Sequence, residues 1–335
     1  MKPLSHRVLK LLAAGDFCSG EALAKSLGVS RAAVWHAVRE LTAAGLEVYR
    51  VHGRGYRLQQ PLSLLDPAEV RRHLGRRAAC VTLEILNSVE STNTLALQRA
   101  QAGAPSATVI AAEWQTAGRG RQGRAWHAGI GGGLTFSMVW RFAHGAGFLS
   151  GLSLAAGVAL ARGLQTLGVA DAGLKWPNDV VWRGRKLAGI LIEMQGDALG
   201  PGCAVIGIGV NVRLSEAVRS RIDQAAADLE SACGRMLDRN VVLALLLTEL
   251  HSVLEAFARG GFAPLRAEWQ RHHAYQDERV SMILPDGRRE SGVARGVGED
   301  GALLVATRAG VRRYHSGEIS LRPAACATDK VKAGA

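Results

Sequence analysis

The sequence predicts an α+β chain with a winged helix-turn-helix at its N-terminus, a central layer of mixed sheet and helices, and a small β-barrel or meander at its C-terminus. Three observations predict it. Short helical patterns separated by a glycine-containing turn open the chain. Strand-like runs then follow one another from Val180 to Val212 without a crossover helix. Short alternating runs with the turn pairs Asp286-Gly287 and Asp300-Gly301 fill Gln276 to Arg322. The expected boundaries are residues 1–62, 63–273 and 274–323, with a disordered tail over 324–335.

The first unit begins with a short amphipathic helix marked by Val8, Leu9, Leu11 and Leu12. A second helix, Gly20 to Leu27, ends at Gly28, which suits a left-handed cap. Ser30 caps a third, Arg31 to Ala43, which buries Val34, Val38 and Leu41. The runs Leu46 to Val51 and Tyr56 to Leu58, joined by His52-Gly-Arg-Gly55, form a hairpin with an arginine at its tip. Nine Lys and Arg face four Asp and Glu in this unit. That balance suits DNA phosphates better than a protein partner, with Gly20 to Arg39 as the reading element. Arg31, His36, Arg39, Arg54 and Arg57 are the candidate contacts.

A linker with Pro61 and Pro67 leads to the central unit. Its elements are strands at Val81 to Leu86, Val109 to Ala112 and Leu134 to Trp140, and helices at Ser91 to Ala102 and Ser150 to Leu167. Strands at Val180 to Trp182, Leu187 to Met194 and Ala204 to Val212 follow, then helices at Asp238 to Arg259 and Pro264 to His273.

Over its 335 residues the chain holds 41 Lys and Arg against 29 Asp and Glu, a basic balance that favours polyanionic partners or anionic substrates. Five scattered cysteines without Cys-x-x-Cys argue against a disulfide framework or a zinc site and fit a reducing cytoplasm. The N-terminus lacks a signal-peptide core because Lys10 interrupts its apolar run, and Val241 to Leu247 is too short to span a bilayer. No membrane role is expected.

Four segments carry polar residues that a core would not choose. Gly118 to Arg124 interleaves three glycines with three arginines after a strand, which makes it a candidate anion clamp. It matches Gly-x-Gly-x-x-Gly, yet no helix opens there and no acidic residue follows at dinucleotide-fold spacing, so it is not a Rossmann turn. Ser91-Thr-Asn93 follows a strand and can cap a helix. Lys175-Trp-Pro-Asn-Asp179 packs a cation, an amide and a carboxylate into five residues. Lys186 stands at the mouth of the apolar strand that ends at Glu193, and Ile206 to Asn211 is a strand with two internal glycines. Such glycines mark close approach by a ligand or another chain segment.

In this order the segments closely resemble the bacterial biotin–protein ligases, in the bifunctional form that is also the biotin-operon repressor. The resemblance runs from about residue 5 to residue 322 and includes Gly317 to Arg322. It implies a class II synthetase-like catalytic domain and an SH3-like C-terminal barrel. It also implies a two-step reaction, in which biotin and ATP give biotinyl-5′-AMP and a lysine of a biotin carboxyl carrier protein then takes the biotin. By the same resemblance, Lys186, Arg121 and Arg119 are catalytic. Ser91, Thr92, Asn93, Gln115, Arg119, Gly120, Arg121 and Lys186 bind biotin, Trp126, Asn178 and Asn211 bind the adenylate, and Asp179 binds Mg²⁺. An adenylate-bound homodimer would bind operator DNA. The chain departs from the family pattern over Arg213 to Gly234, an alanine-rich segment without tryptophan. Three alternatives stay open: a biotin sensor without ligase activity, a ligase whose winged helix does not bind DNA, and a lipoate–protein ligase. The cations and Asp179 argue against the first, and the arginine-rich loop with the winged helix argues against the last.

Overall fold

The computed structural model describes residues 1–196, 201–284, 288–315 and 320–323. The first unit holds α1 (Pro3–Leu12), α2 (Gly20–Leu27), α3 (Arg31–Ala43) and the hairpin of β1 (Val48–Val51) with β2 (Gly55–Leu58). Its local chemistry follows the sequence closely. Ser19 Oγ and Ser30 Oγ accept from Ala22 N and Ala33 N at the starts of α2 and α3, and Gly28 closes α2 at φ 65°. Val8, Leu9, Leu12, Leu23, Val34 and Leu41 form its core, onto which Ile130 and Trp114 of the central unit also pack.

Between the units runs α4 (Pro67–Leu74), which lies just past the linker expected from sequence and is not among the expected elements. Asp66 caps it by accepting from Ala68 N and Glu69 N, and Val70 and Leu74 are buried. Its eight residues hold four charged or imidazole side chains, which masks the apolar stripe.

The central sheet has seven strands in the order β3 (Thr82–Leu86), β4 (Thr108–Ala112), β5 (Gly133–Phe142), β9 (Gly202–Asn211), β8 (Arg185–Gly196), β7 (Asp179–Trp182) and β6 (Ala172–Lys175). β3 pairs with β4 in parallel and every other neighbour is antiparallel, so the sheet is mixed as expected. β6 is the strand the sequence reading lacks; at four residues with two glycine or alanine positions it gives little signal. One face of the sheet is covered by α6 (Leu152–Thr166) and α9 (Arg239–Gly260), with Leu134, Phe136, Met138, Ile206, Ile208 and Val210 in that core. The opposite face takes α5 (Thr92–Gln101) at one end only.

The segments Gly147–Thr166 and Arg239–Gly260 are long and apolar enough to cross a membrane by length and composition. This corrects the reading from Val241 to Leu247 alone. Both lie packed on one another and on the sheet, as core helices do.

After β9 come the short helices α7 (Glu216–Arg219) and α8 (Leu229–Cys233), and α10 (Arg266–Arg271) follows α9. The C-terminal unit is one antiparallel sheet in the order β13 (Gly310–Tyr314), β12 (Leu303–Thr307), β11 (Arg289–Val297), β10 (Arg279–Ile283) and β14 (Ser320–Pro323). The Asp286-Gly287 turn, Gly317 to Ile319 and the tail over 324–335 lie outside the described residues.

Candidate functional site

The register of the central sheet builds the site. Residues paired across strands share a face, so Thr135, Gly209, Gly189 and Asp179 form one row across β5, β9, β8 and β7. Ser137, Gly207 and Leu191 form the next. Alternation sends Leu134, Phe136, Ile206 and Ile208 to the helix-covered side and leaves a floor of hydroxyls and bare backbone on the other. The floor is low because the glycines have no side chain. A Cβ on Gly207 would collide with the Asn93 amide, and one on Gly209 with the Trp126 indole.

Over this floor lies a cavity of about 310 Å³. It gathers every small-molecule site residue the sequence singles out: Ser91, Thr92, Asn93, Gln115, Arg119, Gly120, Arg121, Trp126, Asn178, Asp179, Lys186 and Asn211. Ser91, Thr92 and Asn93 are buried at the start of α5. Ser91 occupies the N-cap position but makes no side-chain cap, so helix capping does not account for its hydroxyl. Thr92 N donates to Gln115 Oε1 at 2.7 Å, which joins the helix start to the strand end where the arginine loop begins.

The arginine loop is a tight hairpin. Trp126 N donates to Gly118 O at 2.8 Å and Gly120 N to Arg124 O at 2.7 Å, with Arg119 bridged to Ala125. Gly118 is required here, because a Cβ would come 2.6 Å from Trp126 O. The turn at Arg121–Gly123 is completed by Gln122 at φ 55° and Gly123 at φ 71°. The tip is exposed, but Arg121 turns inward and donates from Nη1 to Asn178 Oδ1 at 3.2 Å. Burial pulls its guanidinium below the ordinary arginine value, against the opposing pull of Asp179. Arg119 turns outward instead, donating to Thr94 Oγ1 at 3.0 Å and Glu193 Oε1 at 3.3 Å.

Lys186 stands beside Asp179, with 2.6 Å between Nζ and Oδ1, both side chains mostly buried. The contact is an ion pair, outside hydrogen-bond geometry, on a buried carboxylate oxygen. The Lys186 ammonium also lies 5.6 Å from the Trp126 ring centroid. Asn178 is fixed by Nδ2 donating to Ile190 O at 2.8 Å. The Asn211 amide donates to Lys186 O and Ala227 O, so it fastens the start of β8 and the following loop while bordering the cavity.

The alanine-rich segment reaches the cavity too. Lys186 N donates to Ala225 O and Ala227 N to Lys186 O, which seats the alanines as a bridge beside the lysine. Arg221, Ile222, Asp223, Gln224 and Ala226 join the lining. In sequence this segment stands out only as alanine-rich and without tryptophan. The site expected from sequence also lacks Ser137 and Thr135, whose signal is the alternation with Leu134, Phe136 and Met138, and the pair of Glu113 with Arg239, which local sequence does not reveal.

In the first unit, Arg31, His36 and Arg39 are exposed on α3, and Arg39 lies over Trp35 at 4.7 Å. Arg54 and Arg57 of the hairpin lie over Phe17 at 4.3 and 4.8 Å. Trp35 and Phe17, which hold these arginines in place, have no part in the sequence reading.

The chain thus joins a winged helix, a sheet-floored pocket lined by Arg121 and Lys186, and a small β unit. Residues 85–211 match the biotin/lipoate A/B protein ligase family, 5–57 an HTH domain and 277–322 the biotin protein ligase C-terminal domain. The chain is 37% identical to the bifunctional ligase/repressor BirA of Escherichia coli over 318 residues, 95% of this chain and 97% of that one. It is 35% identical to the biotin–[acetyl-CoA-carboxylase] ligase of Mycobacterium tuberculosis, across 74% of this chain and 91% of that one. The structure of the biotin protein ligase of Aquifex aeolicus in complex with biotin and ATP superposes with a TM-score of 0.62 at 28% identity, covering 72% of this chain and 99% of that one. The chain belongs to the bifunctional biotin ligase/repressor family.

Proposed function

We propose that this protein joins biotin to ATP as biotinyl-5′-AMP, passes the biotin to a lysine of a biotin carboxyl carrier protein, and represses biotin-synthesis genes as an adenylate-bound homodimer on operator DNA. The observation that carries this is the convergence of Arg121, Lys186 and Asn178 with the buried Ser91-Thr92-Asn93 turn and Gln115 on one glycine-floored cavity.

In the first step the biotin carboxylate attacks the α-phosphorus of ATP, and the bond to pyrophosphate breaks. Two anions must meet, so fixed cations in a water-poor site lower the barrier. Lys186 and Arg121 supply them, with Arg119 swinging in from Glu193. The ureido head of biotin takes its hydrogen bonds from Ser91, Thr92, Asn93, Gln115 and Gly120, and Trp126, Asn178 and Asn211 border the adenylate. In the second step the carrier lysine attacks the acyl carbon and AMP leaves.

Among the described residues no three acidic, His or Cys groups cluster. A Mg²⁺ ion would therefore rest mainly on nucleotide and water oxygens, with Asp179, whose Oδ1 is already paired with the Lys186 ammonium, as the acidic side chain nearest to it. When bound it would neutralise phosphate charge. The winged helix ends near residue 62 and the catalytic unit near 273. The four described cysteines are unpaired, in keeping with a cytoplasmic setting.

Pyrophosphate exchange into ATP tests the reading. Exchange that depends on biotin and not on lipoate, followed by labelling of the carrier, is the expected result. Exchange supported by lipoate alone, or biotin binding with no exchange, would overturn it.

A further inference from the structure

Ser137 is a hydroxyl with no solvent exposure, in the middle of β5. A buried hydroxyl is costly unless it is bonded, so its partners say what holds it there. Both come from the first turn of α5. Ser137 Oγ is 2.5 Å from Asn93 Oδ1 and 2.8 Å from Thr92 Oγ1.

The sense of each bond can be worked out. Asn93 Nδ2 donates to Glu193 Oε2 at 2.8 Å and to Leu191 O at 3.3 Å. A carboxylate and a carbonyl only accept, so the other end of the Asn93 amide, Oδ1, must face Ser137 and receive its proton. Ser137 then offers Thr92 Oγ1 a lone pair, and the single Thr92 proton is shared between Ser137 Oγ at 2.8 Å and Gln115 Oε1 at 3.0 Å. On the far side, Thr92 N fixes Gln115 Oε1 as an acceptor, which turns Gln115 Nε2 away as a donor. Gly207 lies beside Ser137 in the same row and leaves room for the Asn93 amide.

We propose that Ser137 is a positioning residue for the biotin site: by donating to Asn93 Oδ1 and competing with Gln115 for the Thr92 proton, it sets the placement and polarity that Thr92 and Asn93 offer the ureido group. The inference rests on the proposed function. It assigns Ser137 no contact with the ligand.

The test is calorimetric titration of the full-length protein with biotin and, separately, with ATP. Ser137→Ala leaves two buried polar groups short of a partner, so the Kd for biotin rises roughly tenfold while that for ATP stays within about twofold. Because Ser137 acts through Thr92, adding Thr92→Val to Ser137→Ala should weaken biotin binding by no more than about twofold beyond Thr92→Val alone. If Ser137→Ala does not fold, Glu193→Gln carries the same test from the half-buried rim: an amide there can donate, the Asn93 amide loses its fixed sense, and the Kd for biotin rises by at least about threefold. Unchanged biotin affinity, equal loss for biotin and ATP, or full additivity with Thr92→Val would overturn the inference. A wild-type protein that binds no biotin would instead overturn the proposed function, so the two failures are distinguishable.

Discussion

Lys186 and Arg121 occupy the same cavity but are held differently, and that difference separates their expected phenotypes. Lys186 is paired with Asp179 at 2.6 Å on a strand fixed by the sheet. Lys186→Ala removes a rigidly placed cation, and adenylate formation should fall about a hundredfold or more with the fold intact. Pyrophosphate exchange at the wild-type rate would exclude this role. Arg121 is carried on a hairpin with an exposed tip and reaches inward to Asn178. Arg121→Gly should therefore spare synthesis of the mixed anhydride more than its retention. Incubation with biotin, ATP and serum albumin is expected to label the albumin; clean albumin with normally labelled carrier would refute the idea. Both residues are legible in the sequence because charge beside glycine is a local pattern. Ser137 is not, because its meaning arises only when β5 is laid against β9 and α5.

At the scale of elements, the sequence reads most truly where the signals are short-range. Gly28 and Ser30 bound α2 and α3 at the expected residues because capping depends on the next three or four positions, and Ser19 adds a cap at the start of α2. α4 escapes because its charges outnumber its two buried residues, and β6 because its four residues carry little apolar signal and are tied to a distant segment by Leu174 N donating to His272 O. The winged-helix elements also carry a prediction. Arg31 is exposed on α3, and Arg54 is stacked on Phe17 at the hairpin tip, so both charges are presented from fixed supports. Replacing both by alanine should weaken operator binding and flatten its salt dependence, the slope falling by about one for each phosphate that is no longer neutralised. Titration of labelled promoter DNA with biotin and ATP across a range of salt checks this, and an unchanged slope would remove both residues from the interface.

At the scale of the whole molecule, the stretch that leaves the winged helix is tied into the central unit by a buried ionic knot. Arg239, at the start of α9, pairs with Glu113 at the end of β4, both almost wholly buried. Arg239 Nη1 also donates to Ser63 O at 3.1 Å, while Glu113 accepts from Leu65 N at 2.9 Å and Gly131 N at 3.1 Å. Ser63 Oγ in turn donates to Asp238, and Asp66 N donates to Asn240 Oδ1. This stretch, which reads in sequence as mere linker, is thus part of the catalytic unit's interior. The consequence concerns where this polypeptide can be cut. A scission just before Ser63 would free the winged helix and leave the knot whole. A scission before Ala68, just inside α4, removes Ser63 O from Arg239 and Leu65 N from Glu113, which keeps only Gly131 N as a backbone partner. The Arg239–Glu113 pair itself survives, and each buried group left short of a hydrogen bond costs about 1–3 kcal/mol. The fragment beginning at 63 should therefore unfold at clearly higher urea than the one beginning at 68, and equal midpoints would show that those few residues are only a tether.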